Sequence, residues 1–586
     1  MSTPTYAIDT ESYYDEDLSI GTLGVRRYVR ETEHYLVSIA GSDGFEWVGD
    51  PRSVPWDAME FGDWVSHNAA YDRMVIEQGL DLTVGPYTWH CSADLAAFVQ
   101  SPRALKKAAG ALLKRKVSKD VRDKMKGRRF SELPPEQQQE VRTYALDDAR
   151  ACLAIWQQFE HHQPEDERWL SRHTASMGHR GMALDVDRVQ AGLDVLREAS
   201  FRATRTIPWF GELTPKGKEV PLTSPKRLRQ ECVKAGIPAP LSTDAKSDEF
   251  ISWAEEWAGK APFVAAIQEY RSVKRLLDVL EAMERRQIDG VLPYSLKYFG
   301  ACHTGRWSGD GGLNMQNLPR REMHGVDVRG CLIPRPGKRL VVADLAQIEA
   351  RVLLWLVGDE RTLDLLRGGM DIYEAHARST MGYSDPRPLK EVDPTKRQYA
   401  KCRVLGLGYG LGAVKYRAIV KQWAGLTIDD VQSESDVAGY RSTNPRVVAL
   451  WRRLGEELRR SEGGNFVLEL PTGRTITYYD IKNRRELGVS GIVELGGAPT
   501  KLYGGKLTEN LVQATAREIF ANRLRELERR GLTVALHVHD EVVCEVDEDS
   551  AEEAAREVEE VLGTAPEWAE GLPLAAEAGV EERYGK

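Results

Sequence analysis

Residues 341–351 read VVADLAQIEAR, and residues 536–543 read LHVHDEVV. In each, an apolar β-like run delivers a carboxylate, Asp344 or Asp540, to a strand end. Two such carboxylates brought together can hold a pair of divalent metals, and a pair about 3.5–4 Å apart serves in-line displacement at phosphorus. Val534, Leu536 and Val538 alternate before the second acid, and Val542, Cys544 and Val546 alternate after it. That pattern predicts a hairpin with His539 and Asp540 at its turn. Between the two acids lies RQYAKCRVLGLGYG, residues 397–410, predicted as a helix. Arg397, Lys401, Leu405 and Tyr409 recur at every fourth position, so they drift only ~40° per step along one stripe. A guanidinium and an ammonium on that stripe suit a polyphosphate. Acid, cationic helix, acid, in that order, points to nucleotidyl transfer.

Working outward, residues 5–9 (TYAID) read as a strand entering an acidic turn, and strand and helix patterns alternate to about 160. This is the texture of an α/β domain. Asp9 and Glu11 share one face of that strand by period two. Asn68 and Asp72, and Tyr144 and Asp148, stand at i and i+4, which aligns each pair on one face of a helix. A boundary is expected near 163, within the polar run HHQPEDE. From about 166 to 290 the pattern is mostly helical; Ser224, Pro225 and Gly236 mark the start and stop of one helix. Glycine-rich turns and short strands follow from 290, helices from about 347 to 460, and a hairpin turning at Thr472-Gly473.

The chain has 586 residues, 42% hydrophobic and 29% charged, enough for several buried cores. No apolar run approaches the ~20 residues that span a bilayer, so no membrane partner is expected. The seven cysteines (Cys91, Cys152, Cys232, Cys302, Cys331, Cys402, Cys544) contain no C-x-x-C pair. That argues against a zinc site or disulfide framework and fits a reducing cytoplasm. A formal charge of -9 argues against a purely electrostatic nucleic-acid binder, yet residues 101–129 are strongly basic. That stretch is either a solvated helical face or a contact to a DNA backbone.

Order and spacing together carry a resemblance. Asp9, Glu11, Asp72, Tyr144 and Asp148 resemble the DEDD-type 3′–5′ exonuclease domain in its tyrosine variant, over roughly residues 1–160. ACHTGRWSGDGGLNMQNLPRR, DLAQIEAR, RQYAKCRVLGLGYG and HVHDEVV resemble, in order, four motifs of family A DNA polymerases, over about 166–586. The resemblance implies an α/β multidomain chain. A ribonuclease H-like exonuclease domain would span 1–163 and a right-hand polymerase domain 164–586. The thumb would cover about 166–290, the palm about 291–358 and 490–586, and the fingers about 359–489. Asp9, Glu11, Asp72 and Asp148 would hold two Mg²⁺ (Mn²⁺ is an alternative) while Tyr144 orients the attacking water. Asp344 and Asp540 would hold the polymerase metals, with Glu541 beside them as a catalytic or merely supporting carboxylate. Arg397, Lys401, Leu405, Tyr409, Glu349 and Gln347 would bind the dNTP. Among these, Lys401 would donate a proton to pyrophosphate and Glu349 would exclude a ribose 2′-hydroxyl. Arg306, Gln316, Asn317, Gln513 and His539 would contact DNA. Primer–template DNA and dNTPs are the implied partners, with replisome proteins (helicase, primase, single-strand-binding protein) beyond them.

The pattern is departed from at Leu405, where the family usually has Phe or Tyr, and mildly at Leu345 and Ala346. Altered discrimination against dideoxynucleotides is the expectation at Leu405. The early DxE strand leaves no room for a preceding 5′-nuclease domain, which suggests a phage-type replicative enzyme acting in a host cytoplasm. Two other readings stand beside it: a degradative exonuclease whose second half only grips DNA, and a non-catalytic DNA-binding protein. Intact acids in both halves disfavour both, because unused clustered carboxylates repel one another.

Overall fold

The computed structural model describes residues 3–585 apart from 60–61, 83–87, 117–119 and 246. Strand Thr5–Ser12 lies in the middle of a five-stranded sheet. On one side it pairs antiparallel with His34–Gly41, which pairs antiparallel with Glu46–Gly49. On the other it runs parallel to Asp63–Ser66, and that strand runs parallel to Trp89–Cys91. The sheet is mixed, as the α/β pattern of the sequence leads one to expect. Alternation along the strand sends Tyr6 and Ile8 into one core with Val37, Ile39 and Trp64. Ala7 faces a second core with Val65 and with Ala149 and Trp156 of helix Pro135–Phe159. Ile8 and Ile39 are fully buried, and each contributes roughly 1.5–3 kcal/mol relative to exposure.

Helix Glu165–Arg180 opens with three acids, which complement the positive end of its dipole. Helices Val186–Thr206 and Pro262–Arg286 pack along each other through residues such as Leu193, Leu196, Val273 and Leu280. Between them residues 207–261 build a small module on Trp209, Leu228, Phe250 and Trp253. There Ser224 caps helix Pro225–Lys234, and Gly236 at φ +67° follows its end, as the sequence predicts.

The sheet carrying the two central acids has four antiparallel strands, in the order Val534–Val538, Glu541–Asp547, Lys338–Leu345, Ala576–Glu581. The alternation read along the first strand understates its burial. All five residues are buried, because helices Glu165–Arg180 and Gly504–Arg529 both pack against it. The cationic helix is also shorter than expected. It spans Pro394–Leu407, and Tyr409 lies in the turn beyond it. Gly406, Gly408 and Gly410 (φ +80°) weaken helix propagation there, so the four-residue stripe ends at Leu405. The segment expected to form the fingers, 359–489, packs on more than one core. Helix Pro445–Arg460 and strands Phe466–Glu469 and Thr475–Arg484 bury Leu450, Leu454, Phe466, Ile476 and Tyr478 in the core of the central sheet. The helices from Ile372 to Thr443 pack on separate cores. Among the described residues, no helix is long and apolar enough to cross a membrane.

Candidate active site

Asp344 is the penultimate residue of strand Lys338–Leu345 and stands opposite Glu541 in register. The Leu345 N–H donates to the Asp540 carbonyl at 3.1 Å, so the ladder itself brings the two acidic positions together. The turn is tight. His539 is left-handed at φ +59°, uncommon for a residue with a Cβ. Burial holds the Asp540 carboxyl above its usual range, Glu349 adds to the rise, and Arg306 and Arg320 oppose it.

Beside the turn is a cavity of about 250 Å³ lined by Arg306, Gln316, Ile348, Glu349, Arg517, His539 and Asp540, among others. Glu349 is engaged on both sides, by the Arg306 guanidinium and by the Tyr409 hydroxyl at 3.3 Å. Burial, then the adjacent Glu349, pushes the Tyr409 phenol well up. Gln347 precedes helix Ile348–Val357 at φ +48°, and its carbonyl accepts from the Ala350 and Arg351 amides at 3.1 and 3.2 Å. Gln316, expected to touch DNA, is buried against the hairpin. Its amide donates to the His537 carbonyl at 2.7 Å and accepts from the His539 N–H at 3.0 Å. Asn317 is exposed, and Gln513 is half-buried and donates to Glu509 at 3.4 Å. Glu541, expected beside the metals, points into the protein. It is buried, accepts from Arg329 at 3.2 Å and from the Tyr584 hydroxyl, and the Arg329 guanidinium lies 4.6 Å from the Tyr584 ring centroid.

Arg397, Lys401 and Leu405 do not line that cavity. Arg397 is held by Asp371 (Nε to Oδ2, 3.1 Å) and lies over the Tyr373 ring. Lys401 enters no ion pair among the described residues and is half-buried. Leu405 packs half-buried on the Ile372–Tyr383 core.

In the N-terminal unit the four acids converge electrostatically. Asp72 is 4% exposed and accepts from the Thr10 N–H at 3.1 Å and hydroxyl at 2.7 Å. Burial, then Glu11, Asp72 and Asp148 in turn, pushes the Asp9 carboxyl well up. Glu11 rises to about 8 and Asp72 to about 7, burial being the main cause in each. Tyr144, four residues before Asp148 on helix Pro135–Phe159, is likewise raised by burial and then by Glu11. Arg122, on helix Asp120–Met125, is the cation acting against these rises. The sequence places it only within a basic stretch, with nothing to mark its approach to Glu11. Part of that stretch is paired with acids of the protein itself. Arg103 pairs with Asp94, Lys124 with Glu140, Lys126 with Glu16 and Arg129 with Glu33; Lys119 lies outside the described residues.

Among the described residues, no three His, Cys, Asp or Glu side chains form a ready-made metal cage. Both acid groups still fit hard divalent cations. Their donors are carboxylate oxygens, and Asp9 Oδ2 is buried with no hydrogen-bond partner.

Residues 212–586, more than half of the chain, match the model of DNA polymerase family A. The DNA polymerase of Bacillus phage SP02 is 27% identical over 89% of each chain. The thermostable DNA polymerase I of Thermus filiformis is 30% identical over 71% of this chain, which spans 47% of that relative's length. The fold is similar (TM-score 0.70, 20% identity, 100% of this chain and 96% of the other) to the POL domain of Pol1 from M. smegmatis, solved in complex with DNA primer-template and dNTP. With the acid hairpin, the cationic helix and the Arg306–Glu349 cavity arranged as described, the chain belongs to DNA polymerase family A, and its activity is that of a DNA-directed DNA polymerase.

Proposed function

We propose that the chain is a proofreading polymerase with two separate phosphoryl-transfer centres. Synthesis is assigned to Asp344 and Asp540, and 3′–5′ removal of nucleotides to Asp9, Glu11, Asp72, Tyr144 and Asp148. The observation that carries the second assignment is the gathering of buried, raised carboxyls at Asp9, Glu11 and Asp72 around an unpartnered Asp9 oxygen. Family A polymerases depend on divalent metal, and two Mg²⁺ per centre, with Mn²⁺ as substitute, is the specific reading. When bound, these ions activate the attacking oxygen and offset charge on the leaving group.

The protein's own groups do the rest. Arg397, released from Asp371, and Lys401 grip the triphosphate, and Lys401 donates a proton to the departing pyrophosphate. Glu349, backed by Tyr409, leaves no room for a 2′-hydroxyl, with Gln347 and Leu405 nearby on the nucleotide side. Arg306 and His539 meet the primer terminus, and Asn317 and Gln513 meet the duplex and template. Minor-groove contacts of this kind check pair geometry rather than sequence. Residues 1–163 form the exonuclease domain. In the remainder, about 166–290 form the thumb, about 359–489 the fingers, and about 291–358 and 490–586 the palm. A host cytoplasm, phage replication and replisome partners fit this reading.

One labelled primer–template in Mg²⁺, with and without dNTPs, tests it. Asp344→Ala is expected to abolish extension only and Asp9→Ala degradation only. A parent enzyme that extends but never degrades would remove the exonuclease assignment.

A further inference from the structure

Helix Ser92–Phe98 runs into residues 99–103, and from Phe98 to Arg103 the stretch reaches from the N-terminal unit to the rest of the chain. At their centre Gln100 is left-handed, φ +56°, and 6% exposed. Its side-chain oxygen accepts from the Thr477 N–H at 2.8 Å. Its amide nitrogen donates to the Thr477 carbonyl at 3.0 Å and to the Val493 carbonyl at 2.8 Å. Its own carbonyl accepts from the Leu495 N–H at 2.9 Å. The ladder between Thr475–Arg484 and Gly488–Ile492 closes at the pair Tyr479–Ile492, and Gln100 bridges the two chains just beyond it. One side chain thus stands in for a strand neighbour, donating and accepting as a backbone unit does.

The clamped strand leads back to the polymerase cavity. Three residues before Thr477, the Arg474 guanidinium donates to the Thr304 carbonyl at 3.4 Å, pairs with Glu518 and lies 5.2 Å from the Phe299 ring centroid. Phe299 in turn packs on Phe98 with ring centroids 5.1 Å apart. Gly305, at φ +73°, sits so close that an added Cβ would meet the Phe299 ring at 2.8 Å. Thr304 is 1% exposed, and Arg306, two residues on, lines the cavity beside Asp540. The turn presenting Arg306 therefore rests on Phe299 and Arg474, and both are braced by the segment holding Phe98 and Gln100.

We propose that Gln100 is a positioning residue for DNA synthesis: it fixes hairpin 470–477 so that Arg474 and Phe299 hold the Thr304–Gly305–Arg306 turn ready for the primer terminus. This rests on the reading of Arg306 as a primer-terminus contact. It makes the N-terminal unit a structural part of the polymerase centre, independent of any nuclease chemistry.

The test is a double-mutant cycle in full-length protein carrying Asp9→Ala, so that degradation does not enter. Extension kcat and KM for primer–template are measured for Gln100→Ala, Gln100→Met, Arg306→Ala and the double variants. Loss of the bridging bonds is expected to lower kcat/KM roughly three- to tenfold, mainly through KM. It is also expected to cost almost nothing further once Arg306 is alanine. Gln100→Met keeps the length without the polar atoms and carries the comparison if the alanine variant does not fold. Unchanged extension in both Gln100 variants, or effects that multiply fully with Arg306→Ala, would overturn the proposal. If Arg306→Ala alone changes nothing, the reading of Arg306 fails first and the proposal with it.

Discussion

Gln316 brackets the turn that contains His539: the His539 N–H donates to its side-chain oxygen at 3.0 Å, and its amide nitrogen donates to the His537 carbonyl at 2.7 Å. His539 occupies a left-handed conformation that costs on the order of 1 kcal/mol or more. Two hydrogen bonds from one buried amide offset that strain and set where Asp540 begins. The Gln316 side chain thus shapes the loop that carries Asp540.

Replacing Gln316 with leucine leaves the part-buried His539 N–H and the buried His537 carbonyl without this partner. Each costs about 1–3 kcal/mol. The expected outcome is a loss of about 2 kcal/mol or more in denaturant-induced unfolding and a fall in extension kcat. Primer–template affinity should change less than kcat, because the hydrogen bonds removed lie within the protein. A large KM effect with unchanged stability would return Gln316 to the DNA interface.

Glu541 gives a second contrast. Arg329 is 4% exposed and depends on this carboxylate, and Tyr584 donates its hydroxyl to the same oxygen. Glu541→Gln removes the charge that balances a buried guanidinium, and breaking such a pair typically costs about 3–5 kcal/mol. Stability is therefore expected to fall sharply while extension at a temperature where the variant is folded drops by less than about tenfold. Asp540→Asn should do the reverse, keeping the fold and removing roughly three decades or more of rate. Thermal melts and single-turnover extension on both variants separate the two roles.

The legible and illegible parts of this chain divide by range. Strand alternation and i,i+4 spacing are local, so the placement of Asp9, Glu11, Tyr144 and Asp148 on shared faces could be read from the order of residues. The hairpin at Asp540 was equally local. Gln100 meets Thr477 across 377 positions, and no local pattern announces that an amide will replace a strand. The inward turn of Glu541 depends on Tyr584 and Arg329, again distant. Tyr409 fell outside its predicted helix for a local reason that was visible: three glycines alternate at its end. There the resemblance of the stripe outweighed the propensity that ended it.

Leu405 places an aliphatic side chain on the cationic helix where an aromatic one is usual in the family. It is half-buried against the core around Tyr373, one turn beyond Lys401. An aliphatic residue offers no ring edge or hydroxyl to the sugar, so Leu405→Tyr is expected to change the ratio of dTTP to ddTTP incorporation while leaving dTTP extension within a few-fold of the parent. Identical ratios in the two proteins would mean that position 405 does not sense the sugar.

Acid should unfold the central sheet through His537. The ring is fully buried between Trp307 and Phe520, and neither of its nitrogens finds a partner among the described residues. Burial depresses it to about 3, and His173, Arg517 and His539 add repulsion. His376, buried in the helical region, is also depressed to about 3 by burial and then by Arg403. A histidine with a lowered folded pKa stabilises the protein fully above its unfolded value of about 6.5. That contribution is lost as pH falls from there toward 3, because the unfolded chain takes up the proton first. The slope is up to ~1.4 kcal/mol per pH unit for each such group. Between pH 7 and pH 5 each such histidine therefore contributes a loss of about 2 kcal/mol, which the raised carboxyls of Asp9, Glu11 and Asp72 oppose, because the folded chain protonates them first. His537→Phe keeps an aromatic ring between Trp307 and Phe520 and removes the titrating group. Its denaturant midpoint should shift less over that interval, by about one proton's worth of slope, with the His376 share remaining. An unchanged pH dependence in His537→Phe would mean that the buried ring reaches solvent before the sheet unfolds.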